Sequence, residues 1–572
     1  ITDPAAKQAL ALALAKLSQD NSYMDTIEKL DLLNRVLKIL MTLRYEHKDS
    51  LLLQESCCIA ICRISLRLGT NMTGTERESV THTLFDLLTF GDRNVLSSAI
   101  SGIRALGVSG LCPDEFLQDN QFLSKIANII LRFRGDAELC RYGCAVLAVF
   151  SYDTQAHDRL AEKDIMSVLF ANINSDDEIT RELVANSLCN LSVHAVACQT
   201  MIDMNVVEVL GQLSCSTSET ILDLCAKSLC NLTCNAELHK KMIDNNVLEI
   251  IIMIALVRTV SSQTKCTCAK ALLNLVSDEN LPSIVVSGAI RVFASLSTSP
   301  FVPVQTVCSK GFHLLTLNEK RRQELVRNRA VAQALFHMVK CSTSSSSRVK
   351  IRLGISVTNL LSCNATCRDA IQAGALSCLK IVATMDFEEL RDACARTILH
   401  MANDQHMHTL LFKEPVVAIL LLIIQRHKAP TTFELAMRAL RCLSQIESFR
   451  KPFFRDQGFE ALISAVYSGN VVRRSIAQEI CKAWTNLSYV HDHADPMIRS
   501  GSLALALQIL QQSHLAGLCQ TRMLLLVMVR NITDSSMARE YILLQGIFGS
   551  MVKVILEDFD GYNTTFHEEE EQ

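Results

Sequence analysis

The sequence has few aromatic residues and few of the residues that form turns. Of its 572 residues only 5% are aromatic, one of them a tryptophan, and there are 9 prolines and 20 glycines. β-Sandwiches, β-barrels and nucleotide-binding α/β folds need many glycine- and proline-containing turns. With 49% hydrophobic residues, a chain so poor in turn formers is predicted to be helical, and its apolar content excludes a disordered chain.

An excess of one charge and a long apolar run are also absent. The 56 basic residues are balanced by 59 acidic ones, so the whole chain lacks the basic footprint of a nucleic-acid-binding protein. The longest apolar run, Val416 to Ile424, is far shorter than the roughly 20 residues of a membrane-spanning helix, and we expect a core helix there. No secretory signal is visible, and because the sequence begins at Ile1 we expect a piece of a longer protein.

The sequence does contain a repeat with a period of about 42 residues. Its clearest copies end in an asparagine that is followed by an apolar residue. We call this asparagine position the rung. It is occupied by Asn190, Asn231, Asn274, Asn359, Asn486 and Asn531, and in weaker copies by Arg63, Ala105, Val149, His313, His400 and Cys442. Twelve copies in register predict a tandem array rather than three or four separate domains.

A second motif follows the rung and predicts a helix junction. It is an apolar residue, then glycine or asparagine, then apolar residues at helical spacing, as in Ile202-Asp-Met-Asn-Val-Val and Ile371-Gln-Ala-Gly-Ala-Leu. Glycine and asparagine suit a turn with an unusual backbone angle. Each repeat is therefore predicted to contain two helical segments and a short connector.

These two motifs together resemble the armadillo repeat, as found in β-catenin and importin-α. HEAT repeats are the neighbouring class, but they lack the Asn-Leu-Ser ending. The resemblance covers nearly the whole chain and implies an all-α, right-handed solenoid of about 12 repeats. We expect one continuous solenoid over residues 1–560, with a partial repeat or cap at 1–40, and an acidic tail at 561–572.

In armadillo proteins the third helix of each repeat lines a concave groove, and by resemblance the rung asparagines face it. A side-chain amide carries both a donor and an acceptor, so it can hold the backbone of an extended peptide. The predicted ladder is continuous over Asn190, Asn231 and Asn274, isolated at Asn359, and resumes at Asn486 and Asn531. The alternative is that these amides only tie neighbouring helices together.

One helical turn before each rung lies another groove position. Importin-α carries tryptophans there, whereas this chain has none, which disfavours the binding of nuclear localisation signals. Five of the positions are basic instead, namely Lys227, Lys270, Arg396, Arg438 and Lys482. This resembles β-catenin, whose groove lysines meet acidic partners, and we expect a basic stripe for an extended acidic segment. The alternative is a set of solvated charges without a ligand.

The 23 cysteines follow the repeat rather than a metal or disulfide pattern. Cys58, Cys144, Cys308 and Cys481 lie five residues before the rung, in a position that alanine occupies in other repeats. A position shared by cysteine and alanine indicates tight helix packing in a reducing compartment. Since P-loop, GxGxxG, HExxH and GxSxG motifs are also missing, we expect no catalytic residue, metal or cofactor.

The sequence therefore predicts a non-enzymatic scaffold that binds extended segments of other proteins in a groove. We expect it in the cytoplasm, as part of a large cytoskeletal, ciliary or axonemal assembly, since axonemal armadillo proteins also consist of repeats throughout. A β-catenin-like signalling or adhesion adaptor is the alternative, and an importin-α-like transport adaptor fits the fold but not the groove residues. Nucleic acid, a small-molecule substrate and a membrane span are not expected.

Overall fold

The structure is a computed structural model in which residues 3–111, 113–342, 345–411, 416–455, 457–468, 474–511, 519–546, 548, 549, 552 and 556 are described. These residues form helices and connectors, with no β-strand among them. The chain divides into two compact units, Ile1–Val292 and Phe293–Gln572, here called unit 1 and unit 2. One continuous solenoid over 1–560 stays a prediction, and the acidic tail at 561–572 lies outside the described residues.

Unit 1 repeats a short first helix, a second helix and a longer third helix, which is one helix more per repeat than the two that the sequence predicted. Its third helices are Leu51–Leu68, Arg93–Val108, Ala137–Phe150, Glu178–Leu191, Glu219–Leu232 and Ser262–Asn274. The second helices are Leu33–Glu46, Gly74–Leu87, Phe122–Arg132, Lys163–Ala171, Val206–Leu213, Val247–Leu256 and Ala289–Leu296, the last of which spans the division between the units. The first helices are Asn21–Lys29, Pro113–Gln118, His157–Leu160, Ala195–Asp203, His239–Asp244 and Leu281–Val286, and the helix Pro4–Leu17 precedes them all.

Unit 2 repeats the same three-helix order. Its third helices are Val302–Leu317, Ser347–Leu361, Glu388–Asn403, Pro430–Ser444, Arg474–Ser488 and Cys519–Ile532. The second helices are Arg329–Cys341, Ala375–Thr384, Val416–Arg426, Gly458–Ser468 and Ser502–Gln511. The first helices are Glu319–Arg327, Asn364–Gln372, His408–Leu411, Glu447–Arg455, Ala494–Arg499 and Ser536–Leu544.

Each of the twelve predicted rung positions falls in the C-terminal half of a third helix, so the predicted repeat register and the helical fold are confirmed. Several third helices in unit 1 begin at an aspartate whose carboxylate accepts backbone N–H groups of the first turn, as Asp92, Asp136 and Asp177 do. Such capping satisfies donors that the helix itself leaves unpaired. Within each unit, consecutive third helices pack against one another and form one continuous layer, here called the third-helix face of that unit.

The predicted unusual backbone angle at the junction before the second helix is also confirmed. Asn205 and Asn246 have φ angles of 61° and 62°, and Gly374 and Gly501 have φ angles of 101° and 86°. This left-handed region is open to glycine and is tolerated by asparagine. The chain can therefore turn sharply from the first helix into the second.

The cysteines that share a position with alanine are buried, as the packing interpretation predicts. Cys58, Cys144, Cys308 and Cys481 are all 0% exposed. Burial raises the pKa of the Cys144 and Cys481 thiols to about 12, because a thiolate is poorly solvated in an apolar interior. The Cys144 and Cys481 thiols are therefore packing groups that stay protonated.

The single tryptophan and the predicted core helix are interior features. Trp484 is 0% exposed, and the Val416–Arg426 helix buries Val416, Ile419 and Ile423. Among the described residues, no single helix has the length and apolar composition needed to cross a membrane, although the bent pair Gln405–Leu411 and Val416–Arg426 meets that test jointly.

Candidate partner-binding site

The rung asparagines of unit 1 each reach back to the preceding repeat. The Nδ2 atom of Asn190 donates to the Ser151 hydroxyl at 2.8 Å, and that of Asn231 donates to the Ser192 hydroxyl at 2.9 Å. Asn274 donates in the same way to the Thr233 hydroxyl at 3.2 Å. The acceptor lies two residues after the preceding rung position, so the same hydrogen bond joins successive third helices.

The hydroxyl groups determine which way each amide points. Ser151 donates its own proton to the Ala148 carbonyl at 2.7 Å, and Ser192 donates to the Cys189 carbonyl at 2.6 Å. A hydroxyl has one proton, so it can only accept from the asparagine, and the amide must present N–H to it. The Oδ1 atom then points away from the neighbouring helix.

The outward Oδ1 atoms are the available polar groups of this face. The side chains of Asn190, Asn231 and Asn274 are half-buried, and no hydrogen bond from any described residue reaches their Oδ1 atoms. One N–H of each amide therefore ties neighbouring helices, and the Nδ2 atom of Asn274 also donates to the Cys230 carbonyl and to Cys234 Sγ, both at 3.4 Å. The Oδ1 atoms of all three amides remain available to a ligand, as does the second N–H of Asn190 and of Asn231.

The rungs of unit 2 make the same bond but are interrupted. Asn486 donates to the Ser444 hydroxyl at 3.0 Å and Asn531 to the Ser488 hydroxyl at 2.9 Å. Asn359 donates to the Thr316 hydroxyl at 3.4 Å. This acceptor lies three residues after the preceding rung, His313, rather than two. Between Asn359 and Asn486 the rungs are His400 and Cys442, which carry no amide.

The predicted basic stripe is largely matched by acidic residues on the same helices. Lys227 contacts Asp223 at 2.6 Å, and Arg396 and Arg438 contact Asp392 and Glu434. Asp223 raises the pKa of the Lys227 ammonium group, chiefly through their hydrogen bond. These are pairs one helical turn apart, which are neighbours on a helix surface, so most of the stripe carries little free charge.

Two members of the stripe differ from this pattern. Lys482 lies 3.2 Å from Glu479, which also binds Arg441 at 2.6 Å, so two cations share one acid. Lys270 is exposed and has no ion pair within the described part of the chain. Four residues before it lies Cys266, whereas most other cations of the stripe have an acid at that position. The sequence contains part of this signal, since each paired cation follows an acid by three or four residues and Lys270 does not.

An exposed apolar row beside the rungs was not predicted. Val108, Tyr152 and Val193 lie three residues after successive rungs and are 70%, 68% and 73% exposed. The Tyr152 hydroxyl accepts a hydrogen bond from Asn186 Nδ2 of the next third helix at 3.0 Å, which places the ring on the third-helix face. The repeat register could have identified this row, since every member has the same offset from its rung.

Histidines cluster at two places in the sequence, His406-Met-His408 and His491-Asp-His493-Ala-Asp495. His493 contacts the Leu487 carbonyl through Nδ1 at 3.0 Å, and His408 contacts the Ala402 carbonyl through Nε2 at 2.9 Å. Among the residues that the structure describes, no group of three or more His, Cys, Asp or Glu side chains is arranged to hold a metal ion.

A comparison with protein families finds a match to the family described as Kinesin-associated protein (KAP), over residues 119–287. This segment is less than a third of the chain and includes Asn190, Asn231 and Asn274. No curated protein matches the sequence.

Among solved structures, one chain comes from a study described as "A conserved phosphorylation switch controls the interaction between cadherin and beta-catenin in vitro and in vivo". It is 13% identical, with a TM-score of 0.53, and the match covers 86% of this chain and 98% of that one. A computationally designed armadillo repeat protein for modular peptide recognition is 14% identical, with a TM-score of 0.36, over 44% of this chain and 99% of its own. The three-helix repeat, its register over twelve copies and the first of these structural likenesses show that this chain has the armadillo-repeat fold.

Proposed function

We propose that this chain is a non-enzymatic scaffold that holds extended segments of partner proteins along the third-helix face of unit 1. The observation that supports this most is the set of three consecutive rungs, each with an outward Oδ1 atom. An extended backbone exposes N–H and C=O groups at regular intervals, and an amide can pair with both. Three such amides would hold a segment without requiring one particular sequence.

The side chains beside the rungs favour a partner segment with mixed chemistry. The exposed apolar row of Val108, Tyr152 and Val193 would bury apolar side chains of the segment. Lys270, which lacks an acidic partner among the described residues, would meet an acidic one. Since these groups are spread over several repeats, affinity would arise from a long contact rather than one anchoring pocket.

The family match favours a cytoskeletal setting. It spans the part of unit 1 that carries the three rungs, and the matched family is kinesin-associated. We therefore propose a kinesin-associated or related cytoskeletal assembly as the place of action, including cilia and axonemes. A β-catenin-like soluble adaptor is the second candidate, and the exposed Lys270 on this face is the observation that favours it.

Site-directed photo-cross-linking tests the binding face. A photoreactive residue at Val193, which is beside the Asn190 rung, should cross-link to short partner segments that lie along the third-helix face of unit 1. The same residue at Glu208, which is exposed on the second helix Val206–Leu213, is the matched control. Partner peptides recovered equally from both positions, or only from Glu208, would contradict the proposed face.

Cell fractionation then separates the two candidate functions. A tagged chain that stays with the detergent-insoluble cytoskeleton, and is released when microtubules are depolymerised, supports the cytoskeletal scaffold. A chain that is fully extracted by detergent supports the soluble adaptor.

A further inference from the structure

An open cavity of about 350 Å³ lies on the third-helix face of unit 1, before the asparagine rungs begin. It is formed between the third helices Leu51–Leu68 and Arg93–Val108, and the next third helix contributes one aromatic side chain. Its polar lining consists of Gln19, Arg63, Ser97, Ser98, Ser101 and Tyr142. The lining contains no acidic residue, so an anion entering the cavity would meet no fixed negative charge there.

Arg63 occupies the rung position of its repeat and is exposed. Its Nη1 atom donates to the Ser18 carbonyl at 3.3 Å, the link to the preceding helix that asparagine makes in later repeats. No described carboxylate contacts its guanidinium, whereas Arg67, one turn later, binds both Asp25 and Glu28. A guanidinium has five N–H donors, so most of those of Arg63 remain available.

The three serine hydroxyls are also available. Serines in helices commonly donate back to a carbonyl one turn earlier, as Ser56 does to Leu52 at 2.7 Å and Ser187 to Leu183 at 2.9 Å. Ser97, Ser98 and Ser101 are half-buried and make no side-chain hydrogen bond to any described residue. Three unbonded hydroxyls beside an unpaired guanidinium form a dense group of donors.

The position of the cavity walls is fixed by close packing of the two helices. A Cβ atom at Gly102 would lie 2.1 Å from Cys62 Sγ, so only glycine allows this approach. The nearest acid on the adjoining helix, Glu138, accepts from the Tyr142 hydroxyl at 3.2 Å and binds Arg93 at 2.7 Å. Its charge is therefore already compensated outside the cavity.

We propose that this cavity binds the phosphate group of a phosphorylated serine or threonine in an extended partner segment. The guanidinium supplies a fork of two donors and the hydroxyls supply up to three more, which suits the three oxygens of a phosphate better than the two of a carboxylate. The proposal rests on the proposed function, in which the same face holds the rest of the segment on the rungs that follow.

Binding to synthetic peptide libraries tests the site. The full chain is passed over three immobilised degenerate libraries that differ only in a fixed central residue, which is phosphoserine, serine or glutamate. We expect the phosphoserine library to retain about ten-fold more protein than either other library, the size of one or two charge-assisted hydrogen bonds. Free orthophosphate at high concentration should compete for this surplus.

Substitutions in the cavity test whether the preference for phosphoserine arises there. Arg63→Ala should reduce retention on phosphoserine beads to the level on serine beads, and Ser101→Asp should do the same by placing a negative charge in the cavity. Arg67→Ala, on the same helix but outside the cavity, should keep the preference. The thermal midpoint of each variant is measured alongside, and Ser101→Asp provides a second route if Arg63→Ala unfolds.

The outcomes separate this site from the groove function. Equal retention on all three libraries, abolished by Asn231→Ala with Asn274→Ala, would overturn the phosphate site and leave the groove function standing. Retention on none would overturn both. A preference that survives Arg63→Ala and Ser101→Asp, or binding to phosphoinositide vesicles without binding to phosphopeptides, would also overturn the proposal.

Discussion

The third-helix faces of the two units are built from the same repeat but present different chemistry. Unit 1 has three consecutive amide rungs, and two of its cations, Arg63 and Lys270, contact no acid among the described residues. In unit 2, His400 and Cys442 interrupt the rungs, and Arg396 and Arg438 contact acids of their own helices. A repeat consensus therefore sets where side chains lie, while their immediate neighbours decide whether they are free to bind.

The sharpest test of this difference removes rungs from each unit in turn. Asn231→Ala with Asn274→Ala should weaken binding of a segment identified by cross-linking by about 100-fold, since several peptide hydrogen bonds of about 1 kcal/mol each are lost. The matched pair Asn486→Ala with Asn531→Ala should change affinity by no more than about two-fold, within ordinary mutational scatter. Fluorescence anisotropy with the labelled segment measures both.

Stability supplies the control for this experiment. Both pairs of variants lose the same kind of asparagine-to-hydroxyl bond, at 2.9 Å and 3.2 Å in unit 1 and 3.0 Å and 2.9 Å in unit 2. Their thermal midpoints should therefore fall by similar amounts. Equal losses of affinity from the two pairs of substitutions would contradict the proposal that the segment binds to unit 1 rather than to unit 2.

A charge reversal tests whether an acid on the same helix prevents a cation of the third-helix face from contributing to binding. Lys270→Glu should weaken binding of an acidic segment by about ten-fold at low salt, because an unpaired cation becomes a like charge. Lys227→Glu should have a smaller effect, since Asp223 already compensates Lys227 at 2.6 Å. Arg396→Glu in unit 2 is the matched control.

The same titration at several salt concentrations shows which cations act. Only Lys270→Glu should flatten the salt dependence appreciably. If Lys227→Glu and Lys270→Glu prove equal, the basic stripe acts as a whole, as the sequence alone predicted, and the pairing with acids has little consequence.

The fold and the register of the site could be predicted from the sequence, because both follow from spacing. The rung asparagines recur with the period of the repeat, and the left-handed angles at Asn205 and Gly374 follow from residue type. The state of each side chain could not be predicted in the same way. Whether Lys227 is free depends on the rotamer of Asp223, and the direction of the Asn190 amide depends on the proton of Ser151, which the repeat pattern does not contain.

Replacing a rung amide by a carboxylate tests the amide orientation directly. The carboxylate of Asn231→Asp cannot donate to the Ser192 hydroxyl. Either the hydroxyl turns its proton from the Cys189 carbonyl to the carboxylate, or the two oxygens face each other with no hydrogen bond between them. We expect a loss of about 1 kcal/mol, one hydrogen bond, measured by urea unfolding. Asn486→Asp in unit 2 should cost the same, since the tie between helices is common to both units.

A different result would reverse the inferred orientation of the Asn231 amide. If Asn231→Asp is neutral while Asn231→Ala is destabilising, the amide is turned the other way. The Oδ1 atom would then face the helix rather than the ligand, and the proposed function would lose the observation that supports it most.

The smallest effect that we expect is a pH dependence confined to unit 2. Burial lowers the pKa of His493 below its usual value of 6.5, with Arg450 acting in the same direction, while the bond to the Leu487 carbonyl and the charge of Asp492 oppose it. The folded state thus prefers the neutral imidazole, which is 1% exposed. Its contribution to stability is complete above pH 6.5 and is lost as the pH falls from there through the folded pKa.

Hydrogen exchange at about pH 7.5 and about pH 5.5, on either side of the usual histidine pKa and corrected for intrinsic rates, measures this contribution. Protection of the helices Arg474–Ser488 and Ala494–Arg499, which flank His493, should fall at the lower pH. His493→Gln keeps a donor for the Leu487 carbonyl but does not titrate, so it should remove most of the change. Since unit 1 is the internal reference in the same sample, an equal loss of protection there would assign the effect to the whole chain and not to this buried ring.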